Sequence, residues 1–387
     1  MEGRIQIDRF AAKNFRSIQK CDAELEPLTF FIGANASGKT SFVDAMLFVA
    51  SSLRESLEKA IAGRGGIRAI LHQPIELPAS SQFDFYLSSS KGFACEFHLE
   101  LRVADTWSVS VAREECRVRN PEGDRHYYLV ENGSVKGSAA VFPAVSVDRI
   151  FLSNASGLPE FRLPFDFLAS IGSTEPTLPS FHYAMQGLSR AVRRLNPRAG
   201  EERGLAARFR NFIKDQPQRL EIIQQYLRAI APPFDRIDVV ESSDQLSLRF
   251  VEKSRAGASM SFYLPQASAG LVNSAEILLE LFELPENGRP ASAVVIEEPE
   301  ALLHPGAIQV MRDSFLEASR TRQVLVTTHS PDLLDDPSVP AEWIRIVHRD
   351  EAGTHIDVLD PATKSVIRDK LYTPGQLLRQ GGLILNS

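Results

Sequence analysis

Eight residues, Gly33-Ala34-Asn35-Ala36-Ser37-Gly38-Lys39-Thr40, constrain this chain more than anything else in it. An apolar run, Leu28-Thr29-Phe30-Phe31-Ile32, precedes them, and a helical pattern follows with Phe42, Val43, Met46, Leu47, Ala50 and Leu53 on one face. Strand, G-x-x-x-x-G-K-T and helix, in that order, make a phosphate-binding loop and an α/β fold around it. The glycines let successive backbone N–H groups face one centre, and the helix N-terminus adds positive potential there. Lys39 then reaches the β- and γ-phosphates, and the Thr40 hydroxyl ligates Mg²⁺. Gly33, Asn35, Ala36, Ser37, Gly38 and Ser41 complete the contacts expected for a nucleoside triphosphate.

Further along, Ala293-Val294-Val295-Ile296 reads as a buried strand and ends in Glu297-Glu298-Pro299-Glu300. Carboxylates at such a strand end face the crevice where phosphates bind. One acid can hold Mg²⁺ through water, and the next can polarise the attacking water. A second apolar strand, Val324-Leu325-Val326-Thr327-Thr328, ends in His329-Ser330-Pro331, so His329 is placed to bond the γ-phosphate. Ser268-Ala269-Gly270 precedes a helical stretch from Ser274 to Leu284. A hydroxyl, a backbone N–H and a helix dipole together form a second anion site, although an ordinary N-cap would account for the same residues.

The remainder divides by periodicity. Residues 1–75 carry the first half of the core, and the helix after the phosphate loop is expected to run to about Ala62, where Gly63, Gly65 and Gly66 end it. Residues 76–152 alternate with period two and read as an antiparallel β lobe, with strands at 83–87, 93–103, 107–118 and 127–130. Residues 153–264 form an insertion of helices (Leu205 to Ile230, broken at Pro217) and a hairpin. The basic cluster Arg190, Arg193, Arg194 and Arg198 in it is read as a solvated helix face, with nucleic-acid contact the sharper alternative. Residues 265–387 complete the core.

Composition excludes little, but it excludes cleanly. There is no apolar run of about 18 residues and no signal-peptide h-region, so no membrane partner is expected. The three cysteines, Cys21, Cys95 and Cys116, suggest neither a disulfide framework nor a zinc site, which fits a cytoplasmic protein. A net charge of −6 argues against a chain coated in basic surface, while its 43 Lys and Arg residues leave room for a local basic groove.

The order phosphate loop, S-x-G, h-h-h-E-E-P-E, T-T-H-S resembles ABC-type ATPases of the SMC/RecF class, and more narrowly the OLD-like AAA-family ATPases of bacteria. Lys13-Asn14-Phe15-Arg16-Ser17-Ile18, residues 297–305 and Tyr372-Thr373-Pro374-Gly375-Gln376-Leu377-Leu378 carry the resemblance further. It implies a P-loop NTPase head of ABC type, with ATP sandwiched between two copies. Lys39 and Thr40 of one protomer would face Ser268 and Gly270 of the other. Glu298 would be the general base, Glu297 the Mg²⁺-water ligand and His329 the γ-phosphate sensor. Residues 301–305 would lie along the dimer seam, and Gln73 is the candidate glutamine-loop residue. This chain has Glu297 where relatives carry Asp, and its Ser-Ala-Gly lacks their acidic middle residue. With no coiled-coil arm, the expected role is a dimerising switch acting on DNA or on an effector protein, in anti-phage defence or DNA maintenance. The residues after His329 leave no room for the nuclease domain that OLD-type proteins append, so a nuclease or toxin is expected in trans. An ATP-occupied scaffold with negligible turnover, and a transporter subunit, are the alternatives.

Overall fold

The computed structural model describes residues 4–131, 133–146, 148–174, 204–242, 245–254, 257–264, 266–284 and 293–383. Its first strands are β1 (Ile5–Phe15), β2 (Ile18–Glu24) and β3 (Leu28–Ile32), followed by α1 (Lys39–Arg54), α2 (Leu57–Ala62) and α3 (Ile67–Ile70). Then come β4 (Ala79–Ser89), β5 (Ala94–Val103), β6 (Val109–Arg119), β7 (Arg125–Glu131) and β8 (Ser134–Gly137), α4 (Leu152–Ala155), α5 (Pro159–Ala169) and β9 (Gly172–Thr174). The insertion holds α6 (Leu205–Asp215), α7 (Pro217–Ile230), β10 (Phe234–Ser242), β11 (Gln245–Lys253) and β12 (Ser259–Tyr263). After α8 (Ala269–Phe282) follow β13 (Val294–Glu297), a 3₁₀ turn (Pro299–Leu302), α9 (Pro305–Ala318), β14 (Val324–Thr328) and α10 (Pro331–Leu334). The last described elements are β15 (Ile344–Asp350), β16 (Gly353–Val358), α11 (Pro361–Arg368) and α12 (Pro374–Arg379).

The chain divides into two units. The first comprises Met1–Ser173, Pro285–Val295 and Ser319–Ser387; the second comprises Thr174–Leu284 and Ile296–Ala318. Two sheets make the first unit: an antiparallel one ordered β2-β1-β4-β5-β6-β7-β8, and one ordered β16-β15-β3-β14-β13-β9. β3 pairs in parallel with both β14 and β15. Every residue of β3 and of β14 is buried, which is why both read as unbroken apolar runs rather than alternating ones.

Aromatic packing fixes α1 between these sheets. The Phe42 ring lies 5.3 Å from Phe10 of β1 and 5.3 Å from Phe31 of β3. One turn and a half later, Phe48 lies 5.6 Å from Phe15 and 5.5 Å from Phe83. Each such ring contributes roughly 1.5–3 kcal/mol by leaving water, so the helix behind the phosphate loop is held along its length. The expected single helix to Ala62 is two helices: α1 stops at Arg54, and the Ser56 side chain caps α2 by accepting from Lys59 N at 3.2 Å. The strands expected between 83 and 130 are present, but they form no sheet of their own. β4 pairs with β1 from Ile5↔Ser89 to Lys13↔Gln82, so they extend the sheet that β1 and β2 begin.

In the second unit, α7 begins at Pro217 and buries Ile223 and Leu227, and β10, β11 and β12 form an antiparallel sheet of three. The basic cluster Arg190, Arg193, Arg194 and Arg198 lies outside the described residues.

Candidate nucleotide-binding site

The phosphate loop joins the end of β3 to the start of α1. Gly38 takes φ +105°, a left-handed conformation that glycine enters without steric cost. The space its missing Cβ leaves is filled by the Thr354 side chain, whose Cβ would lie 2.8 Å from it. Ala36 is also left-handed, at φ 63°. No side chain caps α1, so the N–H groups of its first turn are available to a ligand. Lys39 is 5% exposed, and its Nζ donates to the carbonyls of Gly33 (2.8 Å) and Ala34 (3.0 Å) on the loop itself. Exchanging these carbonyls for phosphate oxygens converts neutral acceptors into charged ones, about twice as strong. Asn35, Ala36 and Thr40 are exposed on the loop, and Ser37 is buried.

β14 brings His329 to the same edge. Thr328 pairs with Ile32 in parallel register, so His329 and Gly33 each follow a paired strand end. His329 is exposed, while the flanking Thr328 and Ser330 are buried, and Ser330 N donates to the Thr328 hydroxyl at 2.9 Å. β13 is the next strand after β14 in the sheet order. Its last residue, Glu297, is buried, and Glu298 follows in the left-handed region at φ 43°. That conformation is uncommon for a non-glycine residue and is doubly disfavoured before Pro299, which restricts its predecessor to extended backbone. Backbone strain of this kind costs about 1–3 kcal/mol and collects where a side chain must be aimed. The exposed Thr40 hydroxyl suits Mg²⁺, which keeps several waters and takes few protein ligands.

Ser268 and Gly270 belong to the second unit. Ser268 is the N-cap of α8, its hydroxyl accepting from Leu271 N at 3.3 Å, and that helix starts at Ala269 rather than Ser274. A Cβ on Gly270 would lie 2.5 Å from the carbonyl oxygen of Leu302, in the turn after Glu298. The signature tripeptide and the 301–305 segment are therefore packed on each other.

Sequence reasoning missed the shell behind the loop. Arg16 and Ser17 form the tight turn between β1 and β2. The Thr354 hydroxyl donates to Ser17 Oγ (2.8 Å), which donates to Ser41 Oγ (2.7 Å). Asp44 of α1 holds Arg16 (2.9 Å) and Arg64 (2.8 Å). Gln73, Arg16, Ser17, His72, Arg68 and Arg349 line a cleft of about 210 Å³ beside this turn. Of this, the sequence signalled Lys13 to Ile18 and the candidate glutamine-loop residue Gln73.

A glycine-turned loop between a buried parallel strand and an uncapped helix, with a His at the neighbouring strand end, defines a P-loop NTPase. Two solved structures give the fold more narrowly. An SMC head bound to the C-terminal winged-helix domain of ScpA is 16% identical, covering 92% of this chain and 99% of its own, with a TM-score of 0.52. An SMC head with an extended coiled coil, bound to the C-terminal domain of ScpA derived from Pyrococcus furiosus, is 14% identical over 95% and 99%, with a TM-score of 0.51. The fold is thus the ABC-type head of SMC proteins.

The chain belongs to the family described as "AAA domain, putative AbiEii toxin, Type IV TA system", whose model matches residues 28–335. It is 24% identical over 365 residues to the OLD nuclease of Thermus scotoductus, covering 89% of this chain and 62% of that protein. It is also 36% identical over 63 residues to the DNA replication and repair protein RecF of Lactobacillus acidophilus, 16% of this chain and 17% of that one. The resemblance drawn from the motifs therefore holds: this is an ABC/SMC/RecF-like ATPase family member of OLD type. Among the described residues, no helix is long and apolar enough to cross a membrane.

Proposed function

We propose that this chain hydrolyses ATP at a site shared by two copies of itself, and that the nucleotide-closed pair acts on DNA or on an effector protein. The observation that carries this reading is the loop itself: left-handed Gly38, uncapped α1 and buried Lys39 stand beside the strand end that presents His329. Lys39 exchanges its loop carbonyls for the β- and γ-phosphates. His329 bonds the γ-phosphate, and Glu298, aimed by its left-handed backbone, takes the proton of the attacking water. Thr40 and Glu297 would hold Mg²⁺, which when bound neutralises charge on the phosphates. Ser268 and Gly270 of a second copy would close over the γ-phosphate.

Phosphate release from Mg-ATP, with and without DNA, tests the chemistry. Turnover is expected to vanish in Lys39→Ala, and a wild type no faster than that variant overturns the reading. Light-scattering mass of Glu298→Gln tests the sharing: mass should double on adding Mg-ATP, and a monomer at saturating nucleotide removes Ser268 and Gly270 from the site. A nuclease or toxin as the effector is part of the proposal, by likeness to the OLD nuclease. A recurrent effector gene beside this one is the expected genomic finding.

A further inference from the structure

The stretch from Tyr372 to Leu378 stood out in the sequence, yet nothing in the nucleotide chemistry uses it. It ends up against α10, the single helical turn that begins two residues after His329. We infer that residues 373–379 are a clamp that positions His329 through α10, an inference that rests on the reading of His329 as the γ-phosphate contact.

One turn of helix has no stability of its own, so what packs on it decides where it sits. Leu333 and Leu334 anchor its inner side in the core. Its outer side carries Asp332 and Asp335, and both are taken by the clamp. The Thr373 hydroxyl donates to Asp335 Oδ1 at 2.6 Å while accepting from Gln376 N at 3.1 Å, so the residue that caps α12 also ties that helix to α10. Arg379, at the other end of α12, donates one nitrogen to Asp335 and the other to Asp332, and these carboxylates raise its pKa above the ordinary value. Between the two ties there is no room for a side chain. A Cβ on Gly375 would overlap the Pro331 carbonyl oxygen and lie 2.7 Å from Asp335 N. The segment bearing His329 is therefore fixed at one end by β14 and at the other by α12. His329 itself is exposed, and the two anchors fix the backbone that carries it.

Two variants loosen the clamp in different ways: Arg379→Gln removes the charge ties, and Gly375→Ala pushes α12 off α10. Both should lower kcat for ATP about tenfold or more while KM for ATP stays within about twofold, because only the aim of one transition-state contact is lost. Arg379→Lys should recover part of the rate. The decisive comparison is in a His329→Ala background, where neither variant should lower the rate further. An equal fall with and without His329 overturns the inference. A second readout needs no turnover: NMR of ¹³Cε1-labelled histidine, with the His329 signal identified by its loss in His329→Ala. That signal should shift or broaden in both clamp variants while His98 and His126, remote in sequence and sheet, stay in place; an unmoved His329 signal overturns the inference. If the wild type proves no faster than Lys39→Ala, the hydrolysis reading falls, and the NMR comparison still decides the clamp.

Discussion

Two helix N-termini in this chain follow a glycine-containing motif, and they are built in opposite ways. At α1 the cap position is Gly38, which has no side chain to cap the helix, and the buried Lys39 ammonium donates to carbonyls of its own loop. At α8 the Ser268 hydroxyl already accepts from Leu271 N, and Gly270 is wedged under a carbonyl of the 299–302 turn. The first terminus is left open to an anion; the second is satisfied internally and offers only what it can release. A spacing rule sees both as glycine before a helix. What separates them is whether a side chain has taken the N–H groups first.

The largest effect expected from this contrast is at Glu298. Replacing it with Gln keeps the left-handed turn and the size of the side chain but removes the proposed base, so turnover should fall by about 10²–10⁴ with ATP still bound. Single-turnover phosphate release beside a fluorescent-nucleotide titration separates the two. Equal loss of binding and rate would place Glu298 in structure rather than chemistry.

Gly38→Ala and Gly270→Ala bring the two termini into direct opposition. At Gly38 an added methyl meets both a left-handed φ and the Thr354 side chain, which should cost on the order of 3 kcal/mol and abolish nucleotide binding by a single copy. At Gly270 the backbone is helical and only the Leu302 carbonyl is in the way, so the cost is about 1–2 kcal/mol. Nucleotide titration should find Gly270→Ala binding normally, while light scattering finds no ATP-dependent doubling of mass. Loss of binding in both variants would erase the distinction between the termini.

The parts of this molecule that could be read in advance are those set by neighbours in sequence. β3, β13 and β14 announce themselves because burial on both faces requires unbroken apolar runs, and Gly33 to Thr40 because one loop needs its glycines at fixed spacing. The shell behind the loop was illegible because its pieces are far apart: Thr354 reaches Ser17 across 337 positions, and neither hydroxyl has a sequence signature. Glu114 was hidden for a different reason. The β5–β6 register shifts between Glu100 and Leu101, so the inward positions of β6 run Val111, then Glu114, Cys116 and Val118. A bulge that moves the alternation by one turns a carboxylate into the core, where a simple period-two reading puts it outside.

That carboxylate supplies a third helix N-terminus to set beside the other two. Glu114 accepts from Leu152 N and the Tyr128 hydroxyl, each at 2.7 Å, and from Phe151 N at 2.5 Å, so a carboxyl from within the fold caps α4. Burial pushes the Glu114 pKa up to about 7 from 4.5, and the three donated bonds only partly oppose it. A carboxyl whose folded pKa is raised contributes stability that is fully present below its unfolded pKa and lost as pH rises through the folded one. Urea unfolding of the wild type should therefore show up to about 3 kcal/mol lost between pH 4.5 and 7 from this group. Glu114→Gln should be offset by about 1–3 kcal/mol for the donor it leaves unmet, with that slope gone. An unchanged slope would mean that a group other than Glu114 carries it.

The smallest effect is the most discriminating for the second terminus. Ser268→Ala removes one cap from α8 and should cost about 1 kcal/mol of stability, visible as a lowered urea midpoint with unchanged slope. If Ser268 were only a cap, turnover per folded molecule would be unaffected. If it also closes over the γ-phosphate of a partner, turnover falls well beyond what 1 kcal/mol explains, and Ser268→Thr, which caps as well, restores stability before it restores rate. Mixing Ser268→Ala with Lys39→Ala sharpens this further. In mixed pairs one composite site carries both defects and the other carries neither, so activity should reappear on mixing. Without such recovery, α8 is an ordinary capped helix, and the open terminus of α1 binds its nucleotide unaided.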